Sequence, residues 1–309
     1  MSDYMPVEVV LKILSKLPVK SVVKCKSICK SWNTFICDPS FISAHLHASL
    51  SSNTPFLLIG SAKQGRETLS LHHDNDGFDK LKQLPFPPFG NVAEFPVVGS
   101  CNSLICVQLD YYGYDLDFVL WNPSIQKYIS LPQANISEVE YFNVGFGFDS
   151  RTNGYKLLIL GVDKDGSWIE PYLFSLNENC WRKVTAIPPN YAFGPQSSLS
   201  FVSGAVYWVG RYASTPRVLR FRKNGEVLLE VGDGKMTSLE LNNQQMGASL
   251  YLNCELMEFH GVELGADILS LNSYVKSLVL LDKAVDVSSE SDVNHPIGSS
   301  ESDESIGGD

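Results

Sequence analysis

The sequence predicts a multidomain protein in which a small all-helical unit, residues 1–47, precedes an all-β domain of propeller-like architecture, residues 56–285. Apolar residues recur with the helical period of about 3.6 up to Leu46 and with the strand period of about 2 from Phe56 onward. Similar strand pairs then recur at a spacing near the ~50 residues of one kelch-type propeller blade. A chain of 309 residues is long enough for one large domain and one small one.

Short helices separated by proline account for the first unit. The first helix has apolar residues at the i, i+3, i+4, i+7 positions of one buried face, namely Val7, Val10, Leu11 and Leu14. Pro6 suits its first turn, where no backbone N–H is needed, and Pro18 ends it. A second helical stretch begins near Ser21 and ends at Asp38, which can cap a short last helix over Phe41–Leu46.

The predicted linker, residues 48–55, is polar and rich in turn-forming residues, and short β-type runs follow it. Gly, Pro, Asn and Asp bound these runs, as an all-β architecture requires. In one strand pair the turn contains Asn224-Gly225, which favours a tight hairpin because both residues accept positive φ. Similar pairs around Trp121 and Phe174 supply the repeat, and Trp121 is predicted to lie in a blade core.

Charge is unevenly distributed along the chain, whose formal net charge is -10. Residues 1–50 carry six lysines against three acidic residues, whereas the rest of the chain is strongly acidic. A basic unit on an acidic body favours an acidic protein partner for the amino end and argues against nucleic-acid binding. Residues 286–309 contain seven acidic residues and no Lys or Arg, so a disordered acidic tail is predicted there.

Neither a metal site nor a cofactor site is predicted. The seven cysteines form an odd set without CxxC spacing, which suggests neither a disulfide framework nor a zinc site. His45 with His47, and His72 with His73, lack a companion ligand at metal-binding spacing. No apolar run reaches the ~20 residues of a membrane span, and residues 1–30 lack the layout of a signal peptide. We therefore expect a soluble protein of the cytoplasm, the nucleus or both, without membrane association.

Two groups of motifs resemble a known plant family. Three segments closely resemble, in order and spacing, the F-box of plant F-box proteins: 5–21, 29–33 and 38–41. Met5 stands where the family usually has Leu, an exchange between side chains of similar volume. Four later segments are similar to the F-box-associated interaction domain of the same proteins: 99–106, 120–124, 145–150 and 155–157. Members of this group recruit targets for ubiquitination, and they include S-locus pollen determinants and regulators of immune receptors.

The resemblance implies a non-catalytic substrate-recognition subunit of an SCF-type cullin-RING ubiquitin ligase. The F-box would bind a Skp-type adaptor, and through it cullin, while the β domain would capture a target protein of unknown identity. A helical unit of under ~50 residues cannot bury enough apolar surface alone, so its apolar stripe suits a partner. Adaptor contacts are predicted at Pro6, Val10, Leu14, Leu17, Pro18 and Trp32. If Pro6, Leu14 and Leu17 packed against the chain's own β domain, the ligase assignment would fail.

Two of the site predictions have an alternative interpretation. Trp32 can be an adaptor anchor or part of the core of the helical unit, and both roles can hold together. Tyr111, Tyr112 and Tyr114 lie in a predicted loop between two strands, and its composition is typical of recognition surfaces, which makes them candidate target contacts. An ordinary surface loop is equally consistent with that composition.

The chain departs from the family between Trp208 and Phe221. Relatives have an additional strand and blade element where only about Tyr212–Arg217 stand here, so about one blade of sequence is missing, as a splice variant or an incorrect gene model would produce. A truncated receptor or decoy that binds the adaptor without delivering a target is therefore an alternative. A propeller-type enzyme acting on a sugar or small metabolite is another, although the sequence has no GxSxG, HExxH or P-loop motif.

Overall fold

A computed structural model describes most of the helical unit and of the β domain. The described residues are 6–52, 56–63, 66–75, 77–85, 95–109, 116–134, 136, 139, 141–165, 167, 169–185, 199–202, 205–208, 217–221, 226–230, 235–240, 262–263 and 267–283. From residue 199 to residue 263 the description covers the backbone of the strands and not their side chains. The predicted acidic tail, residues 286–309, and the predicted tyrosine loop, residues 110–115, lie outside the described residues.

Four helices form the amino-terminal unit: α1 (Val7–Leu14), α2 (Val19–Cys25), α3 (Lys30–Ile36) and α4 (Pro39–Ser52). Pro6 and Pro18 stand directly before α1 and α2, where a missing backbone N–H costs no hydrogen bond. The single helical stretch predicted between Ser21 and Asp38 is instead two helices. The reason is that Cys29 has an extended backbone, with φ -161°, which interrupts the helical course between α2 and α3.

Helix α4 is longer than the predicted Phe41–Leu46 and includes the first part of the predicted linker. At its start the Asp38 carboxylate accepts a hydrogen bond from the Ser40 backbone N–H at 2.8 Å, which is the capping role predicted for Asp38. Near its end the Ser51 hydroxyl donates to the His47 carbonyl oxygen at 2.9 Å. The serines here predict a turn, but such a bond to the carbonyl four residues earlier allows Ser inside a helix.

Antiparallel sheets make up the described β domain. The first sheet contains β1 (Phe56–Lys63), β2 (Arg66–His72) and β3 (Lys80–Gln83); the second contains β4 (Val97–Cys101), β5 (Leu104–Gln108), β6 (Phe118–Asn122) and β7 (Lys127–Ser130). The third contains β8 (Tyr141–Asp149), β9 (Gly154–Val162), β10 (Tyr172–Ser175) and β11 (Cys180–Lys183), and the fourth contains β12 (Leu199–Val202) and β13 (Ala205–Trp208). The fifth contains β14 (Arg217–Phe221), β15 (Glu226–Glu230), β16 (Lys235–Glu240) and β17 (Val262–Glu263). A last strand, β18 (Asp267–Tyr274), joins the first sheet beside β1.

The inner strands of these sheets form a ring. β18 lies beside β4, β4 beside β8, β8 beside β12, β12 beside β14, and β14 beside β18. The ring closes within the first sheet, where β18 pairs antiparallel with β1. This arrangement confirms the predicted fold class, a helical unit followed by an all-β propeller-like domain. Among the described residues the fourth sheet has two strands and each other sheet has four; residues 186–198 and 209–216, on either side of it, lie outside the described residues, so the blade predicted to be missing before Arg217 stays a prediction.

The central strands of the second sheet, β5 and β6, are buried along their whole length. Successive side chains of a strand point to opposite sides, so both faces of these strands are buried. Ile105 of β5 and Trp121 of β6 pack in one apolar cluster with residues of the first sheet. Leu104 of β5 and Phe118 of β6 pack in a second cluster with residues of the third sheet. Trp121 is therefore a core residue, as predicted, and the neighbouring sheets are joined by interleaved side chains.

The close approach of β1 and β18 leads to a prediction about ring closure. Gly60 is paired with Ser270, and a Cβ atom at Gly60 would lie 2.5 Å from the Ser270 Oγ but 3.6 Å from its Cβ. Gly60→Ala should therefore lower the free energy of unfolding by about 1–3 kcal/mol, as measured by urea denaturation. The Ser270 hydroxyl is buried without a hydrogen-bond partner among the described residues. Ser270→Ala should consequently restore much of the loss in the double variant, and two additive losses would contradict this reading.

Candidate functional site

The core of the helical unit is shared with the β domain. Six apolar residues of the helices form a buried cluster with Leu278 and Leu281, which follow β18: Leu14, Val19, Val22, Ile36, Phe41 and Ile42. Ile125, from the turn between β6 and β7, packs partly against the same cluster. The helical unit therefore does not stand free of the ring. Its inner surface is already covered by the chain's own carboxyl-terminal residues.

Helix α1, together with Pro6 directly before it, carries a second apolar surface that does not pack in this cluster. Pro6, Val9 and Ile13 are spaced i, i+3 and i+7, so they share one side of the helix. Val9 is 43% exposed and Ile13 is 49% exposed, and Pro6 is also exposed. We call these three residues the outer apolar face. Ile28, in the connection between α2 and α3, is a further exposed apolar side chain, at 61%.

The predicted adaptor contacts divide between the two surfaces. Pro6 and Pro18 are exposed. Val10, Leu17 and Trp32 are half-buried and pack partly against the shared cluster, so Trp32 remains compatible with both of its predicted roles. Leu14 is only 2% exposed, and this corrects its predicted placement: its side chain is a core residue, with no free surface to offer a partner.

The apolar stripe that was predicted to bind the adaptor is therefore only partly free. Leu14 and Leu17 do pack in a cluster completed by Leu278 and Leu281, whereas Pro6 does not. A stripe used by the fold no longer argues for a partner, but the outer apolar face does. Sequence reasoning missed Val9, Ile13 and Ile28 as candidates. The available signal was that α1 is apolar on two sides, more than one buried face requires.

Positive charge surrounds this unit. Its exposed lysines lie on the first three helices and on the α1–α2 connection: Lys12, Lys16, Lys20, Lys24 and Lys30. The positive charge of this unit also acts on the β domain. Burial lowers the pKa of Lys82 on β3, and the charges of Lys276 and Lys20 lower that pKa further. A partner for this surface should therefore be acidic, because complementary charge speeds association and suppresses wrong partners.

The predicted target contacts Tyr111, Tyr112 and Tyr114 lie outside the described residues. The described residues on either side of this segment are close together, because the Leu109 backbone N–H donates to the Asp117 carbonyl oxygen at 2.9 Å. Their role in target binding stays a prediction.

Buried histidines in the described chain serve packing. The His72 Nδ1–H donates to the Phe78 carbonyl oxygen at 2.6 Å, and its Nε2 accepts from the Ser70 hydroxyl at 2.8 Å. Ser70 and His72 are both buried, so this pair has no access to a substrate and fixes the β2–β3 connection instead. Among the described residues no group of three or more His, Cys, Asp or Glu side chains could hold a metal ion. The helices described here include none that is both long and apolar enough to cross a bilayer.

Comparison with known proteins gives the family. Residues 3–47 match the family model described as F-box-like, and residues 57–261 match the one described as F-box associated beta propeller domain. Because the second match covers well over half of the chain, the chain belongs to the F-box proteins that carry an F-box-associated β-propeller domain. This agrees with the helical unit and the ring of sheets described above.

Relatives with curated names are F-box proteins of Arabidopsis thaliana. An F-box/kelch-repeat protein is 26% identical over 221 residues, which cover 68% of this chain and 60% of the relative. The F-box protein CPR1 is 29% identical over 198 residues, which cover 59% of this chain and 45% of CPR1. A further F-box protein is 26% identical over 275 residues, which cover 78% of this chain and 73% of the relative. The chain thus spans less than two thirds of the length of the first two.

His45 leads to a prediction about pH. Its Nε2–H donates to the Leu17 carbonyl oxygen at 2.9 Å, while its Nδ1 is buried without a hydrogen-bond partner in the described chain. Burial lowers the pKa of His45, and the hydrogen bond to Leu17 opposes this shift. The unfolded chain, with an ordinary His pKa of about 6.5, then binds more protons than the folded one below that pH. Stability is therefore full above pH ~6.5 and should fall as the pH is lowered through the folded pKa.

The His45→Gln variant tests whether His45 causes this loss of stability at low pH. Gln keeps a donor for the Leu17 carbonyl oxygen and cannot be protonated. The variant's free energy of unfolding should fall less between pH 7 and pH 5 than that of the wild type, measured by urea denaturation in both buffers. His72, whose pKa burial also lowers, is present in both proteins and serves as an internal control. Equal pH dependence in the two proteins would assign the effect to another group.

Proposed function

We propose that the chain is a non-catalytic substrate-recognition subunit of an SCF-type cullin-RING ubiquitin ligase. The helical unit binds a Skp-type adaptor, and through it cullin, and the β domain binds a target protein. The ligase's ubiquitin-conjugating enzyme performs the chemistry, and the receptor supplies proximity. The family match and the outer apolar face of α1 support this proposal.

The outer apolar face carries the adaptor proposal. A large apolar side chain contributes about 1.5–3 kcal/mol when it is fully buried, so the face offers part of the energy that a specific complex needs after association costs. The half-buried Val10, Leu17 and Trp32 lie on the same unit and can add contact area at its margin. The exposed lysines steer an acidic adaptor toward this surface more than they add affinity.

The β domain is proposed to present the target-binding surface. Tyr111, Tyr112 and Tyr114 remain the proposed contacts, because tyrosine is enriched at protein interfaces. The proposal includes no nucleic acid, membrane or cofactor. It places the protein in the cytoplasm, the nucleus or both, where the ligase works.

A charge on the outer apolar face tests the adaptor proposal. Ile13→Asp should lower the affinity for a purified plant Skp-type adaptor at least about tenfold, because a carboxylate would have to be buried against apolar surface. Leu81→Asp is the matched control: Leu81 is 40% exposed, like Ile13 at 49%, but lies on β3 of the β domain. Isothermal titration calorimetry of the wild type and both variants gives the comparison.

Two results would count against this proposal. A folded wild-type chain that does not bind the adaptor would remove the ligase assignment itself. Equal binding by Ile13→Asp and Leu81→Asp would instead move the interface away from the outer apolar face. Leu14→Asp is a poor probe, because it would place a charge in the core shared with Leu278 and Leu281 and unfold the unit.

A second candidate function is a receptor that occupies the adaptor without delivering a target. The observation that favours it is the fourth sheet, which has two strands, β12 and β13, among the described residues. Limited proteolysis of the purified chain separates the candidates. A ring whose inner strands all have neighbours should resist cleavage between α4 and β1 under conditions that degrade an open β domain. Rapid release of the helical unit would favour the decoy.

A further inference from the structure

The residues after the ring-closing strand run from the β domain to the helical unit. We call Val275–Lys283 the strap. It begins directly after β18, whose last residue, Tyr274, is buried and bonds through its hydroxyl to the Ser124 hydroxyl at 2.7 Å. From there the strap crosses the end of the second sheet and reaches the cluster of the helices.

Asn122, the last residue of β6, holds the strap through its side-chain amide. Its Nδ2 donates to the carbonyl oxygens of Ser277 and Val279, at 3.1 Å and 2.8 Å. Its Oδ1 accepts from the Ser124 backbone N–H at 2.9 Å. Asn122 is fully buried, and its bond to Ser277 is made away from solvent. Both amide protons are therefore used on the strap, and none is left for the sheet.

Lys127, the first residue of β7, holds the far end. Its ammonium group donates to the carbonyl oxygens of Leu281 and Lys283, at 3.0 Å and 2.8 Å. At the near end the Ser103 hydroxyl donates to the Val275 carbonyl oxygen. Side chains from the second sheet thus bind backbone carbonyl oxygens along the whole strap. These bonds hold the strap by its backbone and so fix its path.

The leucines of the strap point in two directions. Leu278 and Leu281 enter the cluster of the helical unit, whereas Leu280 enters the cluster between the second and third sheets. A turn closed by the Leu281 N–H on the Leu278 carbonyl oxygen, at 2.8 Å, separates them. Leu280 has φ 72°, which is rare for a large side chain and usual for Gly. Burial on both sides of the turn holds this conformation.

We propose that the strap sets the orientation of the helical unit on the ring, with Asn122 and Lys127 as its positioning residues. The functional role of the strap rests on the proposed function. There, the helical unit holds the adaptor and the ring holds the target, so the strap fixes how the target faces the ligase. With the α4–β1 connection alone, the helical unit would pivot about one point; the strap adds a second attachment.

A distance measurement between the two domains tests the proposal. The chain has an exposed cysteine in each domain, Cys29 before α3 and Cys180 at the start of β11. Spin labels are attached to both in a chain whose Cys25, Cys37 and Cys254 are replaced by Ala. Cys101 and Cys106 can stay, because burial raises the pKa of both thiols, to about 12 for Cys101, and keeps them unreactive. Pulsed electron spin resonance then gives the distribution of distances.

Asn122→Asp is the main variant. It keeps the oxygen that accepts from Ser124, removes both donors to the strap and places an acceptor against two carbonyl oxygens. We expect a distance distribution roughly twice as wide as in the wild type, because the helical unit is then attached at one point. Asn177→Asp is the control: Asn177 also donates to two carbonyl oxygens, those of Thr152 and Asn153, but within the third sheet. It should leave the distribution unchanged.

Lys127→Met supplies an independent variant if Asn122→Asp does not fold. It removes the two bonds at the far end of the strap while keeping an unbranched side chain. Broadening in either folded variant, with the control unchanged, supports the proposal. A wild-type width in Lys127→Met, and in Asn122→Asp where that variant folds, overturns it. The measurement uses the chain without adaptor, so its outcome is separate from failure of adaptor binding, which would concern the proposed function.

Discussion

The structure depends on contact between distant parts of the chain, in the apolar cluster that buries Leu14 of α1 together with Leu278 and Leu281 of the strap. A helical unit of about 50 residues buries too little apolar surface to be stable alone. The strap supplies two leucines, each worth about 1.5–3 kcal/mol on full burial. The β domain therefore completes the core of the helical unit, and the two domains are joined by packing as well as by the chain.

This contact couples the helical unit to closure of the ring. The strap follows β18 without a gap, and β18 reaches its place by pairing with β1. Pairing these strands brings both connections to the helical unit, α4–β1 and the strap, to one sheet. The two chain ends of the β domain are thus held together where the helices dock. We therefore expect the helices and the first two sheets to lose structure together.

Local pattern was enough for the fold class, but not for the break between α2 and α3 at Cys29 or for the choice of face on α1. The period of Val7, Val10, Leu11 and Leu14 correctly predicts a helix, and Val9 with Ile13 adds a second stripe. A period cannot say which stripe is buried, because that depends on Leu278 and Leu281 at the other end of the chain. The length of α4 was also missed, since bonds such as Ser51 to His47 are not visible in composition.

The two faces of α1 separate folding from recognition. Because Leu14 is used by the fold, the proposed binding surface rests on Val9 and Ile13, which can change without opening the core. Leu14 follows Ile13 directly, so the proposed partner and the cluster with the strap would lie on neighbouring sides of one eight-residue helix. The path from partner to ring is short and passes through Leu14, the strap and Asn122. The proposed function would require rigidity along this path, because a receptor of that kind supplies proximity only when it holds its target at a fixed place.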